Sequence, residues 1–309
     1  IADGAIQMLF PDGARNAADE ESTCATNGEG LCVVLYLGES FRHDHTPFSG
    51  YHRNTLPRVT ANYAGNIIPL PNVISYSTYT LESVYGILTD ATDGNRKAVH
   101  GFFMSLFKKH GYHCLIADGS TDGAPWSNAR RFRPILAGSY HDIELYTEGA
   151  RLRELVRERL QAHPFNMMFI EDGSGHWPYE EATGTVWGRD DMARYDETKL
   201  ITDRNLDTVI RELKDKPAIL LFVSDHAESF GEEGRYSHGG PLSAMEQRHV
   251  AAFIWYSDEY ARLYPDVVRN LKGNSLRFNS HDNIFHTLPT MGGIRSATQS
   301  PALDMASPQ

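Results

Sequence analysis

The chain has 309 residues, 41% of them hydrophobic, enough for one large α/β domain or two small ones with a substantial core. A formal net charge of −11 and the lack of any Lys/Arg block argue against a nucleic-acid backbone as partner. No apolar stretch reaches the roughly 18 residues that cross a bilayer, and the chain opens on Ile1, so it reads as a processed or excised fragment, and any signal or anchor would lie upstream.

A loop-like start runs to Gly30. Leu31-Cys32-Val33-Val34-Leu35-Tyr36-Leu37 is an unbroken apolar run and reads as a buried strand of a parallel sheet. Gly38-Glu39-Ser40 follows at once, so Glu39 sits at a strand end, where an acidic residue is ordinarily a helix cap or a solvated loop residue. Cys24 and Cys32 flank a Gly/Asn-rich loop and are candidates to close it with a disulfide, whereas Cys114 reads as a buried thiol. The spacing predicts helices over 80–89 and 96–110, the second with Val99, Phe102, Phe103 and Leu106 on one face and Gly111 as its stop. A strand is expected over 112–117. Residues 118–143 are rich in Gly, Ser, Asn and Arg and read as a loop bordering the substrate. Arg130, Arg131 and Arg133 within it are candidates to meet phosphates, against the plainer expectation of solvated arginines.

A helix over 148–162, with Leu152, Leu155, Val156 and Leu160 at helical spacing, leads to a strand over 166–170. The longest amphipathic pattern, 190–214, turns Leu200, Leu206, Val209, Ile210 and Leu213 inward and its charges outward. It runs into a second apolar strand, Ala218-Ile219-Leu220-Leu221-Phe222-Val223. A strand over 249–256, a helix over 259–271 and a helix over 281–291 stopped at Gly292-Gly293 complete the pattern. The alternation implies an α/β fold with crossover helices. The division expected is an irregular segment over 1–30, one domain over 31–295 and an irregular tail over 296–309.

The second strand delivers Asp225 and His226 side by side. Ligands of parallel sheets gather beyond the carboxyl ends of the strands, and a carboxylate with an imidazole suits zinc. Glu39 offers a third donor from the other strand end. A hydroxyl would complete the set, and Ser75, Ser77, Thr78, Thr80 and Ser83 are all candidates between which spacing does not choose. At a helix N-terminus such a group faces free N–H donors that suit a phosphate, and metal coordination turns a weak hydroxyl nucleophile into a competent one.

Gly38-Glu39-Ser40 with Arg42, Gly50-Tyr51, Thr55-Leu56-Pro57-Arg58, the block Ser224-Asp225-His226-Ala227-Glu228-Ser229-Phe230-Gly231-Glu232, Ser237-His238-Gly239 and Asp282-Asn283-Ile284-Phe285-His286-Thr287-Leu288 occur in that order. Together they resemble the phosphoethanolamine transferases. These are sulfatase-like members of the alkaline phosphatase superfamily and include the lipid A enzymes behind colistin resistance.

The resemblance implies an alkaline phosphatase/sulfatase-like α/β fold, a central, mostly parallel sheet with helices on both faces. It implies one tightly bound zinc ion held by Glu39, Thr80, Asp225 and His226, with room for a second, and Thr80, in Thr80-x-x-Ser83-Val84, as the nucleophile. His176, in Gly173-Ser174-Gly175-His176-Trp177-Pro178, and His238 match family histidines that bind substrate phosphate or a second metal. Glu228 and Asp282 are expected to orient the ligands. The implied donor is phosphatidylethanolamine, and the acceptor a hydroxyl or phosphate of an envelope lipid or glycan such as lipid A or lipopolysaccharide core. The implied location is the periplasmic face of the inner membrane.

Two departures bear on the acceptor. Tyr76 and Tyr85 lie near the nucleophile where the lipid A enzymes carry cysteines, and Ala227 replaces a commoner glycine, which weakens the case for lipid A itself. A sulfatase would need a Cys-x-Pro-x-Arg setting that Cys24, Cys32 and Cys114 all lack. The alternatives are a metal-dependent phosphodiesterase or phosphatase with water as acceptor, and a catalytically silent zinc-containing binding domain.

Overall fold

The computed structural model describes residues 15–119, 138–147 and 149–308. Seven strands form the central sheet: β1 (Leu31–Gly38), β2 (Ile67–Pro69), β3 (His113–Asp118), β4 (Asp142–Leu145), β5 (Phe165–Glu171), β6 (Ala218–Ser224) and β7 (Ala252–Tyr256). Their order is β2-β7-β6-β1-β5-β3-β4. Pairing is parallel from β6 through β1, β5 and β3 to β4, and antiparallel where β7 meets β6 and β2.

β1 is buried along its whole length, and its side chains alternate between two cores. Leu31, Val33, Leu35 and Leu37 enter one, Cys32, Val34 and Tyr36 the other, and β6 repeats the pattern with Ile219, Leu221 and Val223 against Ala218, Leu220 and Phe222. This is why both strands read as continuous apolar runs.

Among the described residues, eight α-helices accompany the sheet: α1 (Pro57–Tyr63), α2 (Thr80–Leu88), α3 (Met104–Lys109), α4 (Gly149–Ala162), α5 (Asp191–Leu213), α6 (Asp258–Leu263), α7 (Pro265–Asn274) and α8 (Asp282–Met291). Val59 of α1, Leu152 and Val156 of α4 and Leu206 and Ile210 of α5 pack into the second core. Val84, Leu106, Tyr260, Leu271 and Leu288 carry the other five helices into the first. Helices therefore cover both faces of a mostly parallel sheet, and each fully buried Leu or Phe in these layers contributes roughly 1.5–3 kcal/mol.

Several expectations are corrected. Residues 96–103 are not helical: Asp90 accepts the Val99 and His100 N–H groups, His100–Gly101 pairs with Arg15–Asn16, and Phe102 has φ +32°. A side-chain acceptor thus takes the backbone donors a helix would need, and only Met104–Lys109 winds up. The helix expected over 259–271 is broken at Tyr264, because Pro265 lacks the N–H that would continue it. Cys24 and Cys32 are both free: Cys24 lies in a strand paired with Ile294–Ser296, while Cys32 is buried in β1.

The start is also less irregular than the sequence implies, since Ser22–Cys24 forms that antiparallel pair with Ile294–Ser296. Asp142–Leu145 is a strand that begins at the end of the stretch read as loop, and Arg130, Arg131 and Arg133 lie outside the described residues. The charges of α5 are not simply solvated. Asp196 is buried and accepts from His45, Tyr51 and Arg53, and Asp203 accepts the first N–H groups of α1 from Arg58 and Val59.

Candidate metal centre and active site

β1 and β6 are parallel neighbours in which Gly38 stands opposite Ser224, so Glu39 and Asp225 leave adjacent strands at the same level. Donor atoms of Glu39, Asp225 and His226 all lie within 4.8 Å of one another. His226 Nε2 is 3.4 Å from Glu39 Oε1, 3.4 Å from Asp225 Oδ2 and 3.3 Å from Thr80 Oγ1. Thr80 comes from elsewhere in the chain, as the first residue of α2.

The backbone aims each donor. Asp225 Oδ1 accepts the N–H of Ser40 at 3.0 Å and of His226 at 2.8 Å, which leaves Oδ2 buried and without a partner among the described residues. His226 donates Nδ1–H to the Ala227 carbonyl at 3.1 Å, so Nε2 presents its lone pair to the cluster. Glu39 Oε1 accepts the Ser40 hydroxyl at 2.6 Å.

Burial, and then the charge of Asp225, push the Glu39 carboxyl well above the usual carboxylate range. Burial also raises Asp225, but His226 and the backbone donors outweigh it and hold this carboxyl low. Burial keeps His226 below its ordinary value, against the pull of Asp225. A neutral imidazole, two crowded carboxylates, one of them with an orphaned oxygen, and a hydroxyl make a donor set that fits a divalent cation. Glu39, Asp225, His226 and Thr80 are the residues that would hold it.

A second group, His226, Glu228 and His238, adjoins the first. His238 Nδ1 is 2.8 Å from Glu228 Oε1, whereas Glu228 Oε2 is buried without a partner among the described residues. Burial would lower His238, but the hydrogen bond and charge of Glu228 raise it above its ordinary value. Its ring lies 4.3 Å from that of His226 and 5.3 Å from that of His176. His176 is exposed and directs Nδ1 at the Trp177 carbonyl. Asp282 stands apart at the start of α8, where its carboxylate accepts the N–H of Asp93.

The candidate hydroxyls now separate. Ser75 and Ser83 donate to the Ser77 carbonyl, Ser77 to Glu82 and Thr78 to the Gly240 carbonyl, and only Thr80 meets His226.

Sequence reasoning missed two residues. Lys199 of α5 is fully buried, donates from Nζ to the Glu39 carbonyl at 2.8 Å and lies 4.3 Å from the Tyr195 ring. Burial pulls its ammonium down to about 8 against the attraction of Glu39. A signal was present, since Lys199 falls on the stripe of Tyr195, Thr202 and Leu206, four and seven residues apart, that faces inward. His281 accepts the Tyr76 N–H at Nδ1 and donates Nε2–H to the Ser224 carbonyl, and nothing local in the sequence announces that bridge.

The sulfatase family profile matches residues 32–294. Phosphoethanolamine transferase EptA of Salmonella typhimurium is 27% identical over 312 residues, covering 89% of this chain and 56% of that protein. Phosphatidylethanolamine transferase Mcr-1 of Escherichia coli is 26% identical, covering 72% of this chain and 48% of that protein. The chain thus spans about half the length of the curated relatives it matches. Among solved structures, the C-terminal periplasmic domain of EcEptC from Escherichia coli, in complex with Zn, superposes with a TM-score of 0.78 at 19% identity, covering 94% of this chain and 90% of that one. The soluble domain of lipooligosaccharide phosphoethanolamine transferase A from Neisseria meningitidis gives 0.76 at 20% identity, covering 93% and 96%. The structural likenesses agree with the mostly parallel sheet flanked by helices, and the profile match, running from Cys32 in β1 to Ile294 beyond α8, establishes that the chain belongs to the sulfatase family.

Proposed function

We propose that residues 31–295 form the zinc-dependent catalytic domain of a phosphoethanolamine transferase working at the periplasmic face of the inner membrane, with an anchor supplied outside this segment. The observation that carries the reading is the 3.3 Å approach of Thr80 Oγ1 to His226 Nε2, at the start of α2 and amid the Glu39, Asp225 and His226 donors. Zinc bound there would supply positive charge against the phosphoryl oxygens and raise the alkoxide content of the Thr80 hydroxyl.

In the first half-reaction Thr80 Oγ forms a bond to the phosphorus of phosphatidylethanolamine as the bond to diacylglycerol breaks. His238, with Nδ1 fixed on Glu228, carries a proton at Nε2 to the departing alkoxide. His176, beside the His238 ring, donates to a phosphoryl oxygen. In the second half-reaction the now neutral Nε2 of His238 takes the proton of an acceptor hydroxyl, or an acceptor phosphate attacks as its anion, and the new oxygen–phosphorus bond on the envelope lipid or glycan forms as the Thr80 Oγ–phosphorus bond breaks. Support comes from the transferase names of the relatives and from the exposed Tyr79, Trp177 and Tyr236, each within two residues of Thr80, His176 or His238, which suit an amphiphilic donor.

The test is intact-mass analysis after incubation with phosphatidylethanolamine and zinc. A phosphoethanolamine increment on Thr80, absent from Thr80→Ala, is the expected result, and its absence from the parent protein overturns the reading. Free phosphoethanolamine with no transferred product would instead identify a hydrolase.

A further inference from the structure

A cavity of 580 Å³ opens on the same edge of the sheet as the metal centre, at the ends of β5, β3 and β4. That volume falls within the roughly 300–1,000 Å³ of small-molecule sites. Asp172 and Tyr146 line it from the strand ends, Arg204 from α5 and Arg58 from α1. Thr147 with Gly149 and Ala150 at the start of α4 lines a further side, and the segment after β5 contributes Ser174 and Glu181. The same segment carries His176, two residues beyond Ser174, to the ring of His238. Asp172 clasps the segment through the Ser174 N–H at 3.1 Å and the Ser174 hydroxyl. One short, anchored stretch of chain therefore borders both the cavity and the reacting groups.

The chemistry of the lining is mixed. Arg204 and Glu181 are exposed, and neither side chain makes a hydrogen bond or ion pair among the described residues, although α5 holds Asp203 and Asp207 close by. Arg58 reaches those two carboxylates only at 3.9 and 3.6 Å. Among the described residues, an unpaired Arg204 and an unpaired Glu181 thus line one cavity with Arg58, which the two carboxylates hold only loosely. A simple phosphate would use the guanidinium groups but meet the carboxylates of Asp172 and Glu181. A polyol uses both kinds of group, because each sugar hydroxyl donates and accepts.

We infer that this cavity is a saccharide site, which seats a hydroxyl-rich sugar unit of the acceptor beside the loop that carries His176. The inference rests on the transferase reading for its place in the reaction, but the binding itself is separable from it.

The experiment titrates the 309-residue protein with chitobiose, and in parallel with inorganic phosphate, by calorimetry and amide NMR. Chitobiose is expected to bind and to shift the amides of Tyr146, Ser174 and Arg204. Arg204→Ala and Glu181→Gln, two exposed substitutions that leave the core intact, are each expected to weaken it roughly tenfold through loss of a charge-assisted hydrogen bond. Failure of chitobiose to bind, binding unaffected by both variants, or binding of phosphate alone overturns the saccharide assignment. The Thr80 adduct is followed in the same preparation. If it fails to form while chitobiose still binds in the cavity, the transferase reading falls and the saccharide site stands.

Discussion

The ring of His281 bridges to the carbonyl of Ser224, 3.0 Å from Nε2, while its other nitrogen holds the Tyr76 N–H at 3.1 Å. One buried imidazole thus ties the strand that ends in Asp225 to the loop that leads into Thr80. His281→Leu would leave a donor and an acceptor buried without partners, at a cost of roughly 2–4 kcal/mol. Urea unfolding should show that loss. Adduct formation at Thr80 should fall further than His286→Asn, in the helix that His281 precedes, makes it fall. Equal loss in the two variants would remove the positioning role.

Metal removal should be read in stability as well as in activity. Asp225 Oδ2 is buried without a hydrogen-bond partner among the described residues, and two carboxylates share the pocket. Zinc present at about a thousand times its dissociation constant should stabilise the apoprotein by about 4 kcal/mol. Thermal unfolding with and without zinc checks this, and Asp225→Ala should abolish the increment. An unfolding midpoint indifferent to zinc in the parent protein would refute the metal centre.

Lys199 is a buried cation beside the cluster. Replacing it by methionine keeps its length but leaves the Glu39 carbonyl without its donor. The apoprotein of Lys199→Met should lose roughly 1–3 kcal/mol. With zinc bound the loss should shrink, because the metal takes over the balance of charge. Denaturant titrations of both forms decide it, and an equal loss in the two would contradict this account.

Burial lowers His286 from 6.5 to about 4, against a smaller upward pull from Asp90, and its Nδ1 accepts the Ser300 N–H. Between these values the unfolded chain binds a proton that the native protein refuses. Stability from this group is therefore unchanged above pH 6.5 and falls as the pH drops toward 4, by about 1.4 kcal/mol per unit. His286→Asn, which preserves an acceptor but cannot titrate, should show a shallower decline between pH 6 and 5. An identical slope would show that His286 does not govern acid sensitivity.

The central strands were legible because they are buried on both faces, and an apolar run has little else to be, whereas the half-exposed β2 and β4 were not. β1, β5 and β6 fall within a residue or two of their expected places. α5 was legible from its stripe, but the assignment of its charges to solvent failed at Asp196, Lys199 and Asp203. Periodicity reports which side faces inward, and it does not report that a neighbouring helix end or a metal pocket makes a buried charge tolerable. The helix expected over 96–110 failed for a related reason, since Asp90 competes for backbone donors from outside the window.

By itself, the sequence determined that two apolar strands end in Glu39 and in Asp225-His226, and hence that acidic and imidazole donors crowd one edge of a parallel sheet. Local residue types and short-range periodicity suffice for that. Spacing left the hydroxyl open and the resemblance implied Thr80; only the tertiary structure shows which of the five lies beside His226. Ser75, Ser77, Thr78 and Ser83 are each taken up by a carbonyl or by Glu82, and Thr80 alone reaches His226, which stands 146 residues away in the chain. Such a choice depends on the registry of β1 against β6 and on the His281 bridge, contacts between distant segments that no local pattern encodes.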